Sequence, residues 1–225
     1  MATCGVAERL LEAPWQMAQT NPYCSPVDAA SAEVPPRITY SPGATIGVFA
    51  TSGFIAGLCS GATVILRPLG VVSPGVFFGL ALTYAITRSI QPLRIATRIS
   101  LVACSTLAHL LAICAALLSM RLPGIGNGIL SSAISGGLAG WVGATAVGFS
   151  IFVLVPRLRS MLMLGIVMLA GAIFGTLFGA VGVYISDHTT LGHPFDDLVI
   201  YPLWHTGVAA SIALIAAAYM REHKK

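Results

Sequence analysis

Two histidines, His109 and His205, are the residues of this sequence best placed for chemistry within a membrane. Both lie in long apolar stretches that otherwise contain no imidazole, carboxylate or basic group. An ionisable residue inside a membrane span is a candidate functional residue, because burying it in lipid is costly. Two imidazoles on neighbouring helices could ligate a haem iron axially. The pair therefore predicts either a haem site or, with no cofactor, histidines hydrogen-bonded across a helix contact.

The segment from Asp187 to Asp197 holds the densest cluster of polar side chains in the chain. It contains two histidines and three aspartates, and imidazole and carboxylate groups are common ligands of zinc and copper. The candidate metal ligands are His188, His193 and Asp196. Their spacing matches no strong metal-binding template, and a solvated loop between two spans needs similar residues. The segment predicts either a metal site or a polar external loop.

A serine and a histidine in separate apolar stretches suggest a third kind of site. Ser135 is followed directly by Gly136, and His205 lies near the C-terminus. In placement they resemble the serine and histidine of rhomboid proteases. The resemblance covers only these few residues: Ala133 stands where that family has Gly, and Gly207 follows the histidine by two positions instead of three. It implies a Ser/His hydrolase as one alternative function.

Membrane-spanning helices must position these residues. The chain has 225 residues, of which 56% are apolar and only 9% are charged. A helix needs roughly 20 apolar residues to cross a hydrocarbon core of about 30 Å. Tyr201 and Trp204 lie near a proposed helix end, where aromatic rings prefer the headgroup level. The apolar runs predict an all-α integral membrane protein with six spans, at about 44–66, 70–87, 99–120, 129–155, 160–186 and 198–220.

Polar segments flank this transmembrane helical domain, which covers residues 44–220. Residues 1–43 form a polar N-terminal tail, and residues 221–225 form a short basic C-terminal tail. The second apolar run is short and is broken by Pro74 and Gly75. Five spans with one re-entrant segment are therefore the alternative to six spans.

Charged residues are absent from the spans and unevenly divided between their ends. No carboxylate occurs between Glu33 and Asp187, and the positive charges there are eight arginines at breaks between apolar runs. If the chain has six spans, ten lysines and arginines fall on one side of the membrane and two on the other. Positive charge favours the cytoplasmic side, or its matrix equivalent, so both termini are predicted there. No basic patch for nucleic acid is present.

Glycine recurs at intervals of four within the predicted spans. Small residues at this spacing share one helix face and let two backbones approach closely in lipid. The pattern Gly-x-x-Phe-Gly occurs at 75–79 and again at 171–175, which predicts a 3+3 inverted repeat. Chance matching between glycine-rich helices is the alternative. The predicted helix-packing residues are Gly53, Gly57, Gly61, Gly136, Gly140, Gly171, Gly175 and Gly179.

The absence of charge within the spans argues against coupled transport. Proton- or cation-coupled transporters use buried acidic or basic residues for binding and relay. The glycines at intervals of four and the long N-terminal tail favour a non-catalytic accessory subunit. Such a subunit would pack with other membrane protein subunits in the lipid bilayer. A channel or transporter for a neutral or lipid-like solute is the first alternative. An intramembrane histidine site, with haem, a metal ion or hydrolase chemistry, is the second.

Overall fold

The computed structural model describes residues 41–65, 69–121, 128–188 and 193–222, which belong to one compact unit. Residues 1–40 of the predicted tail lie outside the described residues. Within the described ranges the chain forms six α-helices and no strand. The helices are α1 (Pro42–Ile65), α2 (Ser73–Ser89), α3 (Ile95–Ser119), α4 (Ile129–Leu154), α5 (Met161–His188) and α6 (His193–Glu222).

Five of these helices are long and apolar enough to cross a membrane, namely α1, α3, α4, α5 and α6. This agrees with the predicted all-α, multi-pass membrane bundle. The second predicted span corresponds to α2, which has only 17 residues and is about 25 Å long at 1.5 Å per residue. Pro74 lies in its first turn, and Pro92 follows its end. Because proline cannot donate a backbone hydrogen bond, it limits the helix at both ends.

The six helices form a closed ring. Each helix packs against the next one along the chain, and α6 packs against α1. The hydroxyls of Thr63 and Ser73 lie 2.6 Å apart, at the turn from α1 to α2. Those of Ser119 and Ser135 lie 2.7 Å apart, near the turn from α3 to α4. We call the end of the ring where α1, α3 and α5 finish the mouth end.

Arginines cap helix termini at the opposite end, which we call the arginine end. Arg157 Nη1, between α4 and α5, donates a hydrogen bond of 2.9 Å to Ile90 O, just after α2. Helix α2 therefore runs from the mouth end to the arginine end. Arg159 donates to the carbonyls of Phe152 and Val153, at 3.2 and 3.3 Å. These carbonyls lie in the last turn of α4, where no intrahelical partner is available.

Helix α1 lies with its glycines directly against the backbone of α6. A Cβ atom on Gly57 would lie 2.5 Å from Pro202 N, and one on Gly61 would lie 2.6 Å from Asp197 O. Gly53 approaches the same helix, one turn further along. Neither backbone can move away without separating the two helices. Glycine is therefore required at this contact.

The glycines of α4 and α5 face one another. A Cβ on Gly140 would lie 2.8 Å from Gly175 Cα, and one on Gly136 would lie 3.0 Å from Gly179 N. A Cβ on Gly171 would in turn lie against the backbone carbonyl of Gly140. All eight predicted helix-packing glycines thus lie against the backbone of a neighbouring helix in the same chain. The 3+3 inverted repeat stays a prediction.

Large apolar side chains cover much of the outer surface of the ring. Ile95, Leu130 and Met161 are 70%, 75% and 73% exposed. Such exposure is unfavourable in water but expected on a surface that faces lipid tails. The outer surface therefore fits contact with membrane lipid.

We predict that replacing Gly57 by Ala destabilises the ring, whereas replacing Gly47 by Ala does not. The added Cβ would clash with the backbone at Pro202, and overpacking of this kind costs about 1–3 kcal/mol. Gly47 lies on the same helix with open space around it, so alanine there should be neutral or stabilise the helix by up to about 1 kcal/mol. Both changes in stability are measured by unfolding the variants in detergent, with circular dichroism as the probe. Equal effects of the two substitutions would contradict the α1–α6 contact.

Candidate functional site

A cavity of about 500 Å³ lies inside the ring. Side chains of α2, α3, α4, α5 and α6 line it, and we call it the ring cavity. Its volume falls in the range of small-molecule sites, roughly 300–1,000 Å³. Most of the wall is apolar, with small residues such as Ala108, Ala116 and Ala139 leaving the space open.

The ring cavity reaches the surface at the mouth end. The exposed residues Met120 and Asp187, at the ends of α3 and α5, line it there. Asp197, in the first turns of α6, also lines this part. The sequence predicts a polar external loop from Asp187 to Asp197. Helix α5 instead extends to His188, and α6 starts at His193, so both carboxylates stand on helices beside the cavity.

The two histidines predicted from the sequence line the same cavity. His109 lies on α3 and His205 on α6. Close helix packing sets their positions: a Cβ on Gly75 would lie 2.6 Å from Thr106 Cα and 3.0 Å from His109 Cβ. Gly53 of α1 lies behind His205, near its backbone carbonyl. The ring therefore brings together two imidazoles that are 96 positions apart in sequence.

Aromatic rings surround the two imidazoles. The ring of His205 stacks on Phe78, with centroids 4.6 Å apart and planes 9° apart, and Trp204 meets it at 5.4 Å. Tyr201 lies between the histidines, 6.2 Å from His109 and 5.8 Å from His205 between ring centroids. Phe178 meets the Tyr201 ring edge-on at 5.7 Å. We call this set the aromatic cluster: Phe78, His109, Phe178, Tyr201, Trp204 and His205.

Most of the aromatic cluster was not anticipated from the sequence. Tyr201 and Trp204 were predicted to lie near a helix end, but α6 starts at His193, five residues before the predicted start. At 1.5 Å per residue this moves both rings about 7 Å further from the helix start. A signal was nevertheless present, because Asp197, Tyr201 and His205 are spaced by four and share one helix face.

The chain matches no protein-family model, no curated protein and no solved structure. The chemistry of the ring cavity must therefore be derived from its own residues.

Several buried polar atoms in the cavity wall have no hydrogen-bond partner in the described structure. They are His109 Nε2, His205 Nδ1 and Ser105 Oγ. His205 is only 1% exposed and Ser105 only 4%. A buried polar group without a partner costs about 1–3 kcal/mol.

The serine of the predicted hydrolase site has a structural partner. Ser135 and His205 both line the ring cavity, but the hydrogen bond of Ser135 is to Ser119 Oγ, at 2.7 Å. Ser119 in turn donates to Ala116 O at 2.7 Å, so its hydroxyl oxygen accepts the proton of Ser135. This bond links α3 to α4. The Ser/His hydrolase stays a prediction.

The predicted metal ligands lie at the mouth end. His188 ends α5, where its Nδ1 donates to Tyr184 O at 2.9 Å and its ring stacks on Tyr184. His193 and Asp196 fall in the first turn of α6, but their side chains lie outside the described part. Among the side chains that are described, no three His, Cys, Asp or Glu residues are grouped closely enough to hold a metal ion. The metal site and the haem site both stay predictions.

We predict that His205→Phe leaves the protein as stable as the wild type or stabilises it. Phenylalanine keeps an aromatic ring against Phe78 and removes a buried nitrogen that has no partner, which should recover about 1–3 kcal/mol. His205→Ala removes the ring as well and should destabilise by about 3–5 kcal/mol, the usual cost of deleting a buried aromatic ring. Thermal unfolding in detergent compares the two. If both variants are destabilised equally, the imidazole makes a stabilising polar contact and is structural.

Proposed function

We propose that this protein is a membrane protein of the transporter class that binds one small, largely apolar solute in the ring cavity. The cavity itself is the observation that supports this function. Its volume is about 500 Å³, it is lined by five helices, and it reaches the surface at one end. A shaped apolar cavity with a few convergent polar groups is typical of ligand sites.

An internal cavity of this size is costly for a bundle in lipid. Helices in a membrane associate mainly through van der Waals packing, since lipid tails are as apolar as the side chains. Atoms that line empty space lose those contacts. Bringing α4 and α5 closer to α2 and α3 would recover them, so a cavity maintained between these helices favours a role in binding.

The distribution of arginine supports an orientation for the cavity. Arg121 is the only arginine among the described residues at the mouth end, whereas six others lie at the arginine end: Arg88, Arg94, Arg98, Arg157, Arg159 and Arg221. Positive charge near span ends favours the cytoplasmic side. We therefore propose that the mouth faces away from the cytoplasm and that both ends of the helical domain lie inside.

The accessory-subunit function stays a prediction. It was based on glycines at intervals of four that could face another subunit. The eight predicted helix-packing glycines instead lie against helices of this same chain. No contact within the described residues favours a partner protein over lipid on the outer surface. The solute-binding function is therefore preferred.

Quenching of Trp204 fluorescence tests the proposed function. Trp204 lines the ring cavity, and the substitutions Trp15→Phe and Trp141→Phe make it the only tryptophan of the chain. We predict that 4-bromobenzyl alcohol, an uncharged aromatic probe with a quenching bromine, reduces this fluorescence with saturation. Ala116→Phe or Ala139→Phe should weaken the saturable binding about tenfold or more, because each fills the cavity.

Ala103→Phe is the matched control, since Ala103 is exposed on α3 and does not line the cavity. It should leave binding unchanged, and thermal unfolding identifies any variant that fails to fold. The quenching could instead rise linearly with probe concentration, both in the protein with Trp204 as its only tryptophan and in every folded variant of it. Such behaviour would mean that the probe partitions into lipid or detergent. That result would contradict the proposed function.

A further inference from the structure

Three arginines gather at the turn between α2 and α3, at the arginine end of the ring. Arg157 Nη1, from the connection between α4 and α5, donates to Ile90 O at 2.9 Å. Arg98 Nε, from the first turn of α3, donates to Leu93 O at 2.9 Å. The two acceptor residues are three positions apart, so their Cα atoms lie within about 11 Å of each other. Arg94 follows Leu93 directly and is exposed. We call Arg94, Arg98 and Arg157 the arginine cluster.

The arginine cluster keeps hydrogen-bond donors and positive charge available for a ligand. A guanidinium group has five N–H donors, and the described structure gives Arg98 and Arg157 one side-chain hydrogen bond each. These bonds hold each group in place and leave its other donors open. The carboxylates whose side chains are described, Asp187 and Asp197, lie at the mouth end. Within the described ranges, therefore, no carboxylate neutralises the cluster.

Exposed apolar side chains extend from the arginine cluster along α3. Ile95 is 70% exposed and Ile99 is 63% exposed. Ile95 lies three residues before Arg98 and four before Ile99, so the three side chains lie on one side of the helix. A phosphate ion in water would gain nothing from the isoleucines. The acyl chains of a phospholipid would pack on them while its phosphate group reached the guanidinium groups.

We propose that the arginine cluster binds the phosphate group of an anionic phospholipid whose acyl chains lie against α3. Guanidinium groups recognise phosphate oxygens through paired N–H bonds. Basic pockets between helices on the cytoplasmic side are typical sites for anionic headgroups, and the arginine end is the end proposed to face the cytoplasm. This inference goes beyond the proposed function and does not depend on it, because no residue of the cluster lines the ring cavity.

Native mass spectrometry of the full-length protein in detergent counts bound lipids and measures their affinities. Phosphatidylglycerol, which is anionic, is compared with phosphatidylcholine of the same acyl chains, which is zwitterionic. We expect one phosphatidylglycerol to bind about tenfold more tightly than phosphatidylcholine. Glycerophosphoglycerol, which is the same headgroup without chains, and inorganic phosphate should not displace the lipid at the same concentration.

Arg94→Gln is the first variant, because the only hydrogen bond that the described structure gives Arg94 runs from Arg98 N to its backbone carbonyl. The substitution should weaken binding of phosphatidylglycerol about fivefold, which is roughly the contribution of one basic residue near a membrane surface. Arg98→Gln should cause a similar loss, and Arg98→Lys should recover part of it, since lysine keeps the charge but not the paired donors.

Arg121→Gln is the matched control, because Arg121 is an exposed arginine at the mouth end. It should change neither affinity, and thermal unfolding identifies any variant that fails to fold. Equal binding of the two lipids would overturn the inference, and so would an unchanged preference in the folded arginine-cluster variants or an equal loss in Arg121→Gln. Displacement of the lipid by glycerophosphoglycerol or by inorganic phosphate would indicate a site for free anions and would overturn it as well.

Discussion

Close contact between helix backbones is the constraint on which the rest of this structure depends. In lipid the helices gain no hydrophobic free energy by associating, so van der Waals packing must hold them together. The α1–α6 contact and the α4–α5 contact meet this need with glycine, and at Gly57 and Gly140 a single added methyl group has no space. These two contacts close the ring. Gly75 makes a third close contact, between α2 and α3.

The ring cavity lies among the helices that these contacts hold together. Its wall comes from α2 to α6, and none of its described lining residues comes from α1. Two imidazoles line it, of which His205 is buried and His109 half-buried, and two carboxylates lie at its mouth. An apolar wall strengthens electrostatic interactions near it, because little water is present to screen them. Any polar contact that a solute makes in the cavity would be strengthened in this way.

The sequence was sufficient for the class of the protein but not for the geometry of the site. Apolar runs without charge predicted the helices to within a few residues, and His109 and His205 were identified because ionisable groups are rare in spans. Asp197 was missed because the start of α6 was placed at residue 198, beyond the carboxylate. Tyr201 was interpreted as a residue near the helix end, so its contact with the histidines was not foreseen. Phe78 was missed because an aromatic residue in an apolar helix carries no signal of what it packs against. Which helix faces meet depends on the whole ring, and no local pattern encodes that.

Occupancy of the ring cavity can be measured directly by anomalous diffraction from crystals grown with 4-bromobenzyl alcohol. The proposed function predicts a bromine peak inside the ring cavity, near the aromatic cluster. Crystals of the Ala139→Phe variant should lack that peak. A wild-type structure in which the helices close over the cavity and no bromine peak appears inside the ring would contradict the assignment of this cavity as a ligand site.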